Sequence, residues 1–573
     1  MDSLLFDALV VLCVLSLAVL WQSARASQAR TRSPLPPGPP ELPIIGNLLQ
    51  APRSEEWIAY RDWSIKYGSE LVRLSSFGTH TIIVNSARAA YELFEKRSTL
   101  YSDRPTFTAM TYRWLIGFVR YGPKWRLMRK TFHEQFRANT LARYESYQVQ
   151  AVHAFLQTLV SDPQEFKENV RLLTGKIIMH IAYGIEVKNY HDPFITIIEA
   201  ALTAINHSAT FGGLVLDLVP FLQKMPSWFP GAGFKKYAAQ ARSEVGDGVM
   251  EMPWAAFMNA KKAGLDETQQ TSVAAILLEK YGGDPELELV IKAIPANMYI
   301  AGADTTVSSI TSFFLAMLLY PEAQTKAHEE IDRVLQGALP TLQDRERLPY
   351  TMALVKEVFR WHPVTTLAIP HALTDDDVYD GLFIPGGSTV VGNVWAILHD
   401  PEFFPDPETF NPAHFISTSH GGTYPADACQ GDEVPYPDTA FGFGRRICPG
   451  RALAKTSVWL TVSSVLAAFD IIPAKDGTGS PVPVKETWSS GVVGYPGPFV
   501  CDIKPRGRAV ETVMAQANGE SCTQRFLLSN PDPSCIPRTA LGMHDIAFFA
   551  AVWSQPQTFT RRSRQFCPTL HSL

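Results

Sequence analysis

One cysteine of the chain lies among residue types that suit a metal ligand. The segment reads Phe441-Gly-Phe-Gly-Arg-Arg-Ile-Cys-Pro-Gly450. The glycines before Cys448 permit a tight backbone excursion, and Gly450 permits backbone N–H groups to point toward the sulfur. Such an electropositive setting favours the thiolate, which is the form of cysteine that binds metals. Arg446 adds a guanidinium, which pairs well with carboxylate groups of a flat ligand.

This chemistry fits a haem-thiolate centre. A thiolate pushes electron density into a haem iron and favours cleavage of the O–O bond of dioxygen. The alternative is a turn with a buried cysteine, but a simple turn does not require Phe, Gly, Arg, Cys and Gly at this spacing. The chain has seven cysteines. The others lack the paired spacing of a zinc site and are too sparse for a disulfide scaffold, so a reducing compartment fits best.

Through this segment the chain resembles the cytochrome P450 family. The haem-binding loop of that family, Phe-x-x-Gly-x-Arg-x-Cys-x-Gly, is matched by Phe441, Gly444, Arg446, Cys448 and Gly450. The resemblance extends over roughly residues 34 to 510, because further family signatures follow in the expected order. It implies the cytochrome P450 fold and a haem b cofactor, iron protoporphyrin IX, with Cys448 as its axial thiolate ligand.

A second candidate site lies in the apolar helical run from Ile294 to Leu319, which contains Ala301-Gly-Ala-Asp-Thr-Thr306. A carboxylate followed by a hydroxyl is costly in such a helix unless it is used. A hydroxyl can bond the carbonyl four residues earlier and open the helix, and Gly302 lowers side-chain bulk, so the pattern predicts a pocket for dioxygen and water. The resemblance implies that Thr305 donates hydrogen bonds to dioxygen and that Asp304 feeds protons inward. The alternative is a helix kink with satisfied polar groups.

Two further segments receive a role in haem binding from the resemblance. Trp125 and Arg129 lie four residues apart, on one face of a predicted helix, and the family assigns both to the haem propionates. Without that context, a packed tryptophan and an exposed arginine would explain them equally well. His371 matches a position that often supplies another propionate donor, although a lone histidine is a weak signal.

A carboxylate and a guanidinium, those of Glu357 and Arg360, lie three residues apart on one predicted helix face. Such pairs usually lie on solvated faces and contribute little to stability. The resemblance instead implies a structural lock around the haem, whose third member in the family is an arginine. This chain has His414 at that position, in Phe410-Asn-Pro-Ala-His-Phe415. Histidine still donates a hydrogen bond, so we expect the lock to survive with altered strength.

The elements that must position these residues are mainly α with smaller β regions. The sequence predicts a helix over Trp57 to Tyr67 and short strands over Leu71 to Leu74 and Thr81 to Val84. Long helical stretches then dominate to about residue 362. A second strand-and-turn region surrounds Phe383 to Thr389, where Pro and Gly set the turn.

The N-terminal end reads as a membrane anchor. Leu4 to Trp21 is an 18-residue apolar run with one charge, Asp7, and three arginines follow it before residue 33. This pattern favours one transmembrane helix with the main domain in the cytosol, and the missing basic leader argues against a cleaved signal peptide. Pro34 to Pro40 then predicts a stiff extended spacer that holds the membrane and catalytic parts apart. With the resemblance, this predicts a single-pass protein of the endoplasmic reticulum membrane.

The chain therefore divides into four predicted parts. We expect a membrane anchor over residues 1–24, a basic and proline-rich hinge over 25–53, a haem-thiolate catalytic domain over 54–510 and a poorly ordered tail over 511–573.

Composition limits the partners. Hydrophobic residues make up 46% of the chain and charged residues 19%, so a large core can form. The net charge of −5 gives no reason to expect a nucleic-acid partner. No flavin or nicotinamide motif is present, so electrons must come from another protein. We expect an NADPH-cytochrome reductase that docks near Lys130, Arg445 and Arg451.

The segments that should meet the substrate carry apolar residues and few charges, although the same residues also suit a core. These apolar residues are Phe107, Met110, Phe118, Phe211, Leu214, Leu367 and Ile369. An apolar small molecule fits such a site better than a charged metabolite, and Val215 to Phe229 could dip into the bilayer.

The predicted reaction is insertion of one oxygen atom from O2 into an apolar small molecule. The overall resemblance is to fungal microsomal members, many of which oxidise terpenoid, polyketide or aromatic secondary metabolites. Two alternatives remain open: a haem-thiolate isomerase or dehydratase that uses no external O2, and a non-catalytic haem-binding protein. The pair Asp304 and Thr305 argues against both.

Overall fold

A computed structural model describes residues 33–106, 114–209, 244–416, 437–511 and 513. Within these residues the chain is mainly helical with small sheets, which confirms the predicted fold class. The predicted anchor over 1–24, the beginning of the hinge and the tail beyond Val513 lie outside the described residues.

The α-helices of the described residues have the following bounds. They are α1 (Glu56–Tyr67), α2 (Ala87–Ala90), α3 (Ser98–Tyr101), α4 (Pro123–Gln135), α5 (Ala138–Leu141), α6 (Glu145–Ser161), α7 (Phe166–Tyr183), α8 (Pro193–Ala209), α9 (Met252–Ala263), α10 (Glu267–Gln270), α11 (Val273–Tyr281), α12 (Glu288–Leu319), α13 (Pro321–Leu335), α14 (Pro349–Trp361), α15 (Val394–Leu398) and α16 (Arg451–Ala468). Short 3₁₀ turns include Pro412–Phe415 and Gly444–Arg446, and π-helical turns cover Tyr91–Lys96 and Glu244–Glu251.

The strands form one four-stranded sheet and two hairpin-like pairs. They are β1 (Leu71–Ser76), β2 (Thr79–Val84), β3 (His371–Ala372), β4 (Asp377–Tyr379), β5 (Leu382–Ile384), β6 (Thr389–Gly392), β7 (Phe469–Pro473) and β8 (Cys501–Pro505). The larger sheet has the order β1-β2-β6-β3, and the smaller ones are β4-β5 and β7-β8. Strand β2 pairs in parallel with β6, with Thr81 opposite Thr389, so two distant stretches of the chain share one sheet.

Helix α12 is the central element of the fold. It is apolar on nearly all sides and buried along most of its length, as expected for a helix surrounded by others. Helices α4, α7, α14 and α16 pack against it. In the described part of the chain it is the one helix long and apolar enough to cross a membrane, but 78% of its most apolar window is buried inside the fold. It is therefore a core helix.

The described part of the proline-rich stretch is extended and lies against the catalytic part. The Pro34 carbonyl accepts a hydrogen bond from Phe383 N at 2.7 Å, and the Pro37 carbonyl accepts one from Arg73 N at 2.8 Å. Asn47 Nδ2 donates to the Pro39 carbonyl at 3.0 Å. The described stretch of this segment is thus fastened to the catalytic part, because prolines that cannot donate still offer carbonyl acceptors.

Candidate active site

Cys448 lies in a loop between the 3₁₀ turn Gly444–Arg446 and the first residue of α16. Its backbone N–H donates to the Phe441 carbonyl at 2.8 Å, which closes the loop. Burial raises the pKa of the Cys448 thiol, whereas backbone N–H groups of Gly450 and Arg451 and the charge of Arg129 act in the opposite direction. Burial is the larger effect, so the pKa of the thiol is raised overall, and these N–H groups and cations are the ones that would stabilise a thiolate.

The loop is held in place by the π-helical turn Tyr91–Lys96. Phe443 stacks on Phe94 with ring centroids 4.9 Å apart. Gly444 N donates to Glu95 Oε1 at 2.6 Å, and Gly444 has a φ of 53°, in the region that favours glycine. A side chain at Gly444 would also collide with the Phe94 carbonyl, so this position requires glycine.

Arg446 connects the cysteine loop to the segment before α4. Its guanidinium donates to the carbonyls of Ser102 at 2.7 Å, Ile116 at 3.3 Å and Val119 at 2.9 Å. It also lies over the Trp125 ring, 4.3 Å from the centroid. Further N–H groups of this guanidinium have no partner among the described residues, so they can serve a carboxylate.

Arg104 is a second buried guanidinium beside Arg446, and no motif of the sequence pointed to it. It is 3% exposed and donates to the carbonyls of Gly117 at 2.8 Å, Ile369 at 2.6 Å and Pro370 at 2.8 Å. The next residue, His371, is also buried, and its Nδ1 donates to the Tyr101 carbonyl at 2.6 Å.

These groups concentrate positive charge inside the protein. Burial lowers the pKa of Arg446 to about 10, lowers that of Arg104 well below its usual value, and also lowers that of Arg129. Among the described residues none of the three forms an ion pair; the nearby carboxylate of Asp103 pairs with Arg120 Nε at 2.7 Å. Buried cations without counter-ions are costly. A ligand with two carboxylates next to a metal would compensate them, so the residues fit a haem.

On the central helix, the face that carries Ala301 and Thr305 is less buried than its surroundings. Ala301 is exposed and Thr305 is half-buried. Thr305 Oγ1 donates to the Ala301 carbonyl at 2.8 Å, the bond to the residue four positions earlier that the sequence predicts. The helix nevertheless continues without a break, so the predicted opening of the helix is wrong.

The predicted role of Gly302 is also wrong. A Cβ atom at Gly302 would lie 2.9 Å from Ile178 Cδ1 of α7. The missing side chain therefore permits close packing of two helices rather than space for dioxygen.

The Asp304 carboxyl is buried, at 9% exposure, and is directed to a different set of partners from Thr305. Burial raises its pKa, while a hydrogen bond from the side chain of Tyr495 and the charge of Arg171 act in the opposite direction. Sequence reasoning missed Tyr495, because it lies far along the chain in a loop without a recognisable motif.

Glu357, Arg360 and His414 come together in the core. Arg360 donates to both carboxylate oxygens of Glu357, from Nε at 2.8 Å and from Nη2 at 2.7 Å, and both side chains are fully buried. His414 lies with Nδ1 3.0 Å from Glu357 Oε1 and Nε2 2.7 Å from the Pro405 carbonyl. The alternative of a pair on a solvated face is therefore wrong, and His414 occupies the place of the third partner.

Asn297 is a further residue that the sequence did not single out. It is buried on α12, where its Nδ2 donates to the Trp114 carbonyl at 2.8 Å and its Oδ1 accepts from Ile116 N at 2.8 Å. It thereby ties the central helix to the segment whose carbonyls hold Arg446.

The remaining predicted residues have mixed outcomes. Ile369 lies next to Gly117, since a Cβ atom added at Gly117 would be 3.2 Å from Ile369 Cδ1. Phe118 and Leu367 pack against the hydrophobic core. Phe107, Met110, Phe211, Leu214 and the segment Val215 to Phe229 lie outside the described residues. Lys130 and Arg445 are exposed and Arg451 is half-buried.

Comparison with known proteins agrees with this geometry. The family model described as Cytochrome P450 matches residues 36–500. Cytochrome P450 monooxygenase 208 from Postia placenta is 39% identical over 507 residues, which is 87% of this chain and 96% of the relative. A cytochrome P450 monooxygenase from Armillaria gallica is 38% identical over 87% of this chain and 97% of the relative. Cytochrome P450 monooxygenase COX1 from Coprinopsis cinerea is 38% identical over 82% and 92%.

Proposed function

Because the chain belongs to the cytochrome P450 family of monooxygenases, we propose that it inserts one oxygen atom from O2 into an apolar small molecule at a haem-thiolate centre. The observation that carries this proposal is the loop of Cys448, which is closed by the bond from Cys448 N to the Phe441 carbonyl and lies beside the buried guanidiniums of Arg446 and Arg104. Neither guanidinium forms an ion pair among the described residues.

In this proposal the thiolate of Cys448 would hold the iron of haem b. The propionates would be bound by Trp125, Arg129, His371 and Arg446, and Arg104 would contribute charge to the same region. Phe441, Gly444 and Gly450 shape the loop around the sulfur. When bound, the haem supplies activation of O2 and transfer of one oxygen atom to a C–H or C=C bond.

Two residues of α12, Asp304 and Thr305, are assigned to proton transfer in this proposal. Thr305 presents a hydroxyl on the open face of the helix, where its single O–H is donated to the Ala301 carbonyl. Rotation of this O–H away from Ala301 would let it donate a hydrogen bond to a bound ligand. Asp304 is a buried carboxyl whose raised pKa favours uptake of a proton. We assign to it the delivery of protons toward Thr305.

The buried lock has a structural part in the same proposal. Arg360 also donates to the carbonyls of Leu398 at 3.0 Å and Pro407 at 2.8 Å. Together with Glu357 and His414, it fixes α14 against the segment that leads to the cysteine loop.

The partners follow from the same chemistry. An NADPH-cytochrome reductase would supply electrons by docking at Lys130, Arg445 and Arg451, whose charges suit an acidic surface. We further propose a substrate from secondary metabolism, of the terpenoid, polyketide or aromatic kind, and attachment to the endoplasmic reticulum membrane through residues 1–24. The names of the relatives state a monooxygenase and no substrate.

The ligand assignment is tested by Cys448→Ser. The wild-type protein should give the thiolate-type spectrum of the reduced carbon monoxide complex, and the variant should lose it. Cys501→Ser is the control, because Cys501 is a buried cysteine that lies on β8, apart from the loop of Cys448. A thiolate-type spectrum that persists in Cys448→Ser would remove the ligand assignment.

The reaction class is tested with labelled oxygen. Cells that contain this chain and a reductase should convert a substrate, found by mass spectrometry of their metabolites, into a product that carries one atom from ¹⁸O2. Thr305→Ala should lower this incorporation. A product that forms without label would instead support an isomerase or dehydratase, and bound haem without any turnover would support a haem-binding protein.

A further inference from the structure

The loop that contains Tyr495 is fastened directly to the helix of the proton-handling residues. Ser308 Oγ of α12 donates to the Gly494 carbonyl at 2.5 Å, and Gly494 N donates to the Val364 carbonyl at 2.8 Å. Tyr495 N donates to Ser489 Oγ at 2.9 Å, and Ser489 N donates back to the Tyr495 carbonyl at 2.9 Å. The backbone on both sides of the Tyr495 side chain is therefore fixed.

This attachment brings the phenol of Tyr495 to the carboxyl of Asp304. Ser308 lies one turn after Asp304, on the same face of α12, so the loop that Ser308 holds also lies over Asp304. The phenol acts on the Asp304 carboxyl as a hydrogen-bonding group, in the direction opposite to burial. An ionised carboxylate only accepts hydrogen bonds, so the phenol is the donor. Burial raises the pKa of Tyr495 far above neutrality, which keeps its O–H in place.

Two charged residues on neighbouring helices act on Asp304. In the described part of the chain, the positive charge of Arg171 in α7 lowers the pKa of Asp304, and the negative charge of Glu199 in α8 raises it. They form an ion pair at 2.6 Å between Arg171 Nη1 and Glu199 Oε1, and both side chains are close to half exposed. The ion pair thus places charged groups that reach solvent near enough to Asp304 for their charges to act on its carboxyl.

We propose that Tyr495 is the positioning residue of Asp304: its phenol donates a hydrogen bond to the Asp304 carboxylate, offsets part of the effect of burial on it, and connects it to the loop at Val364. This rests on the proposed function. Asp304 takes a proton from water at the Arg171–Glu199 pair, releases it toward Thr305 and returns to the carboxylate. The O–H bond of Tyr495 is not broken, so no proton is gained or lost there.

The first test is a titration of Asp304 in the resting holoenzyme by infrared difference spectroscopy. The band of the protonated carboxyl is assigned by its loss in Asp304→Asn. Tyr495→Phe removes one hydroxyl and keeps the ring, so the titration midpoint of Asp304 should move upward by about one pH unit. Tyr144→Phe is the matched control, because Tyr144 is buried and its phenol donates to the distant Thr271 carbonyl. A midpoint that stays unchanged in Tyr495→Phe overturns the proposal.

The second test is the pH profile of NADPH- and O2-dependent turnover. The limb that disappears in Asp304→Asn should move in the same direction in Tyr495→Phe and should stay in place in Tyr144→Phe. A limb that does not follow the infrared midpoint removes Tyr495 from the proton route. A wild-type protein that oxidises nothing with O2 contradicts the proposed function instead, and the infrared titration still decides whether Tyr495 controls Asp304.

Discussion

The guanidinium of Arg446 is surrounded by neutral acceptors. Its bonds go to backbone carbonyls and it lies over an indole ring, so its orientation is fixed while no carboxylate of the described residues forms an ion pair with it. This arrangement is expected of a residue that binds an anionic ligand, because a carboxylate of the protein in an ion pair with the guanidinium would compete with that ligand.

Arg446→Lys should therefore impair haem retention. An ammonium group is a point charge and cannot reach three carbonyls and a propionate from one position. We expect affinity for haem to fall on the order of tenfold, the usual effect of losing a residue that supports a metal site. Haem absorbance per protein after dialysis measures it. Arg445→Lys, at the exposed neighbouring position, should retain haem; equal retention in both variants would contradict the role of Arg446.

What the sequence reveals at this scale depends on distance along the chain. Cys448, Arg446 and Gly450 lie within one short loop, so their types and spacing carry the chemistry. Tyr495 acts on Asp304, and Arg104 acts beside Arg446, only because the fold brings distant segments together. No local pattern encodes such a pair.

Among the elements, α12 does more than carry Asp304 and Thr305. Through Asn297 it also holds the segment 114–116, and that segment holds Arg446. Helix, segment and cysteine loop are thus joined by hydrogen bonds in series, and a change in one should be felt in the others.

Asn297→Ala should loosen this connection. It leaves the Ile116 N–H and the Trp114 carbonyl without their buried partners, at a cost of about 1–3 kcal/mol in the free energy of unfolding. Amide hydrogen exchange at Ile116 should become faster. In β7, on another part of the fold, the exchange rate should change only as much as the altered free energy of global unfolding requires. Unchanged protection of Ile116 would show that Asn297 does not hold the segment.

The lock between α14 and the segment near His414 should respond unequally to the loss of its members. Glu357→Ala leaves the charge of Arg360 buried and unpaired, which should cost about 3–5 kcal/mol in the free energy of unfolding. His414→Ala removes one bond to a charged group and leaves the bidentate pair intact, so about 1.5–3 kcal/mol is expected. Denaturant unfolding of both variants measures the difference. If His414→Ala were the more damaging change, the histidine would be the main member of the lock.

The positions of most helices and strands could be predicted from periodicity, whereas the tertiary contacts that these elements make could not. Helix α1 and strands β1 and β2 lie where hydrophobic and β-branched patterns indicate them. Gly302 shows the limit, because a glycine in a helix fits either a ligand pocket or a close helix contact, and only the position of Ile178 decides. The attachment of the proline stretch to Arg73 and Phe383 likewise depends on tertiary contacts.

For the molecule as a whole, several buried histidines should make stability depend on pH. Burial lowers the pKa of His180 and His328 from 6.5 to about 4, and that of His362 to about 3. Below about pH 6.5 the unfolded chain binds protons that the folded chain does not bind. The free energy of unfolding should therefore fall as the pH decreases from about 6.5 toward 4.

His362→Phe should reduce this acid sensitivity. The His362 ring stacks on Trp488 at a centroid distance of 3.6 Å, which a phenyl ring can retain, and its Nε2 has no hydrogen-bond partner to lose among the described residues. The difference between the unfolding free energies at pH 7 and pH 4.5, followed by tryptophan fluorescence, should become smaller. His133→Gln, at an exposed position of α4, should leave it unchanged; a wild-type pH dependence in His362→Phe would contradict the prediction.

The parallel pairing of β2 with β6 has a consequence for synthesis of the chain. Roughly 300 residues separate Thr81 from its partner Thr389. At about 5–20 residues per second, the ribosome needs about 15 to 60 s to supply the second strand after the first. During that time Ile82 and Ile83, fully buried in the finished sheet, belong to an open strand edge. The nascent chain should therefore depend on chaperone cover of residues 79–84 until residue 392 has emerged.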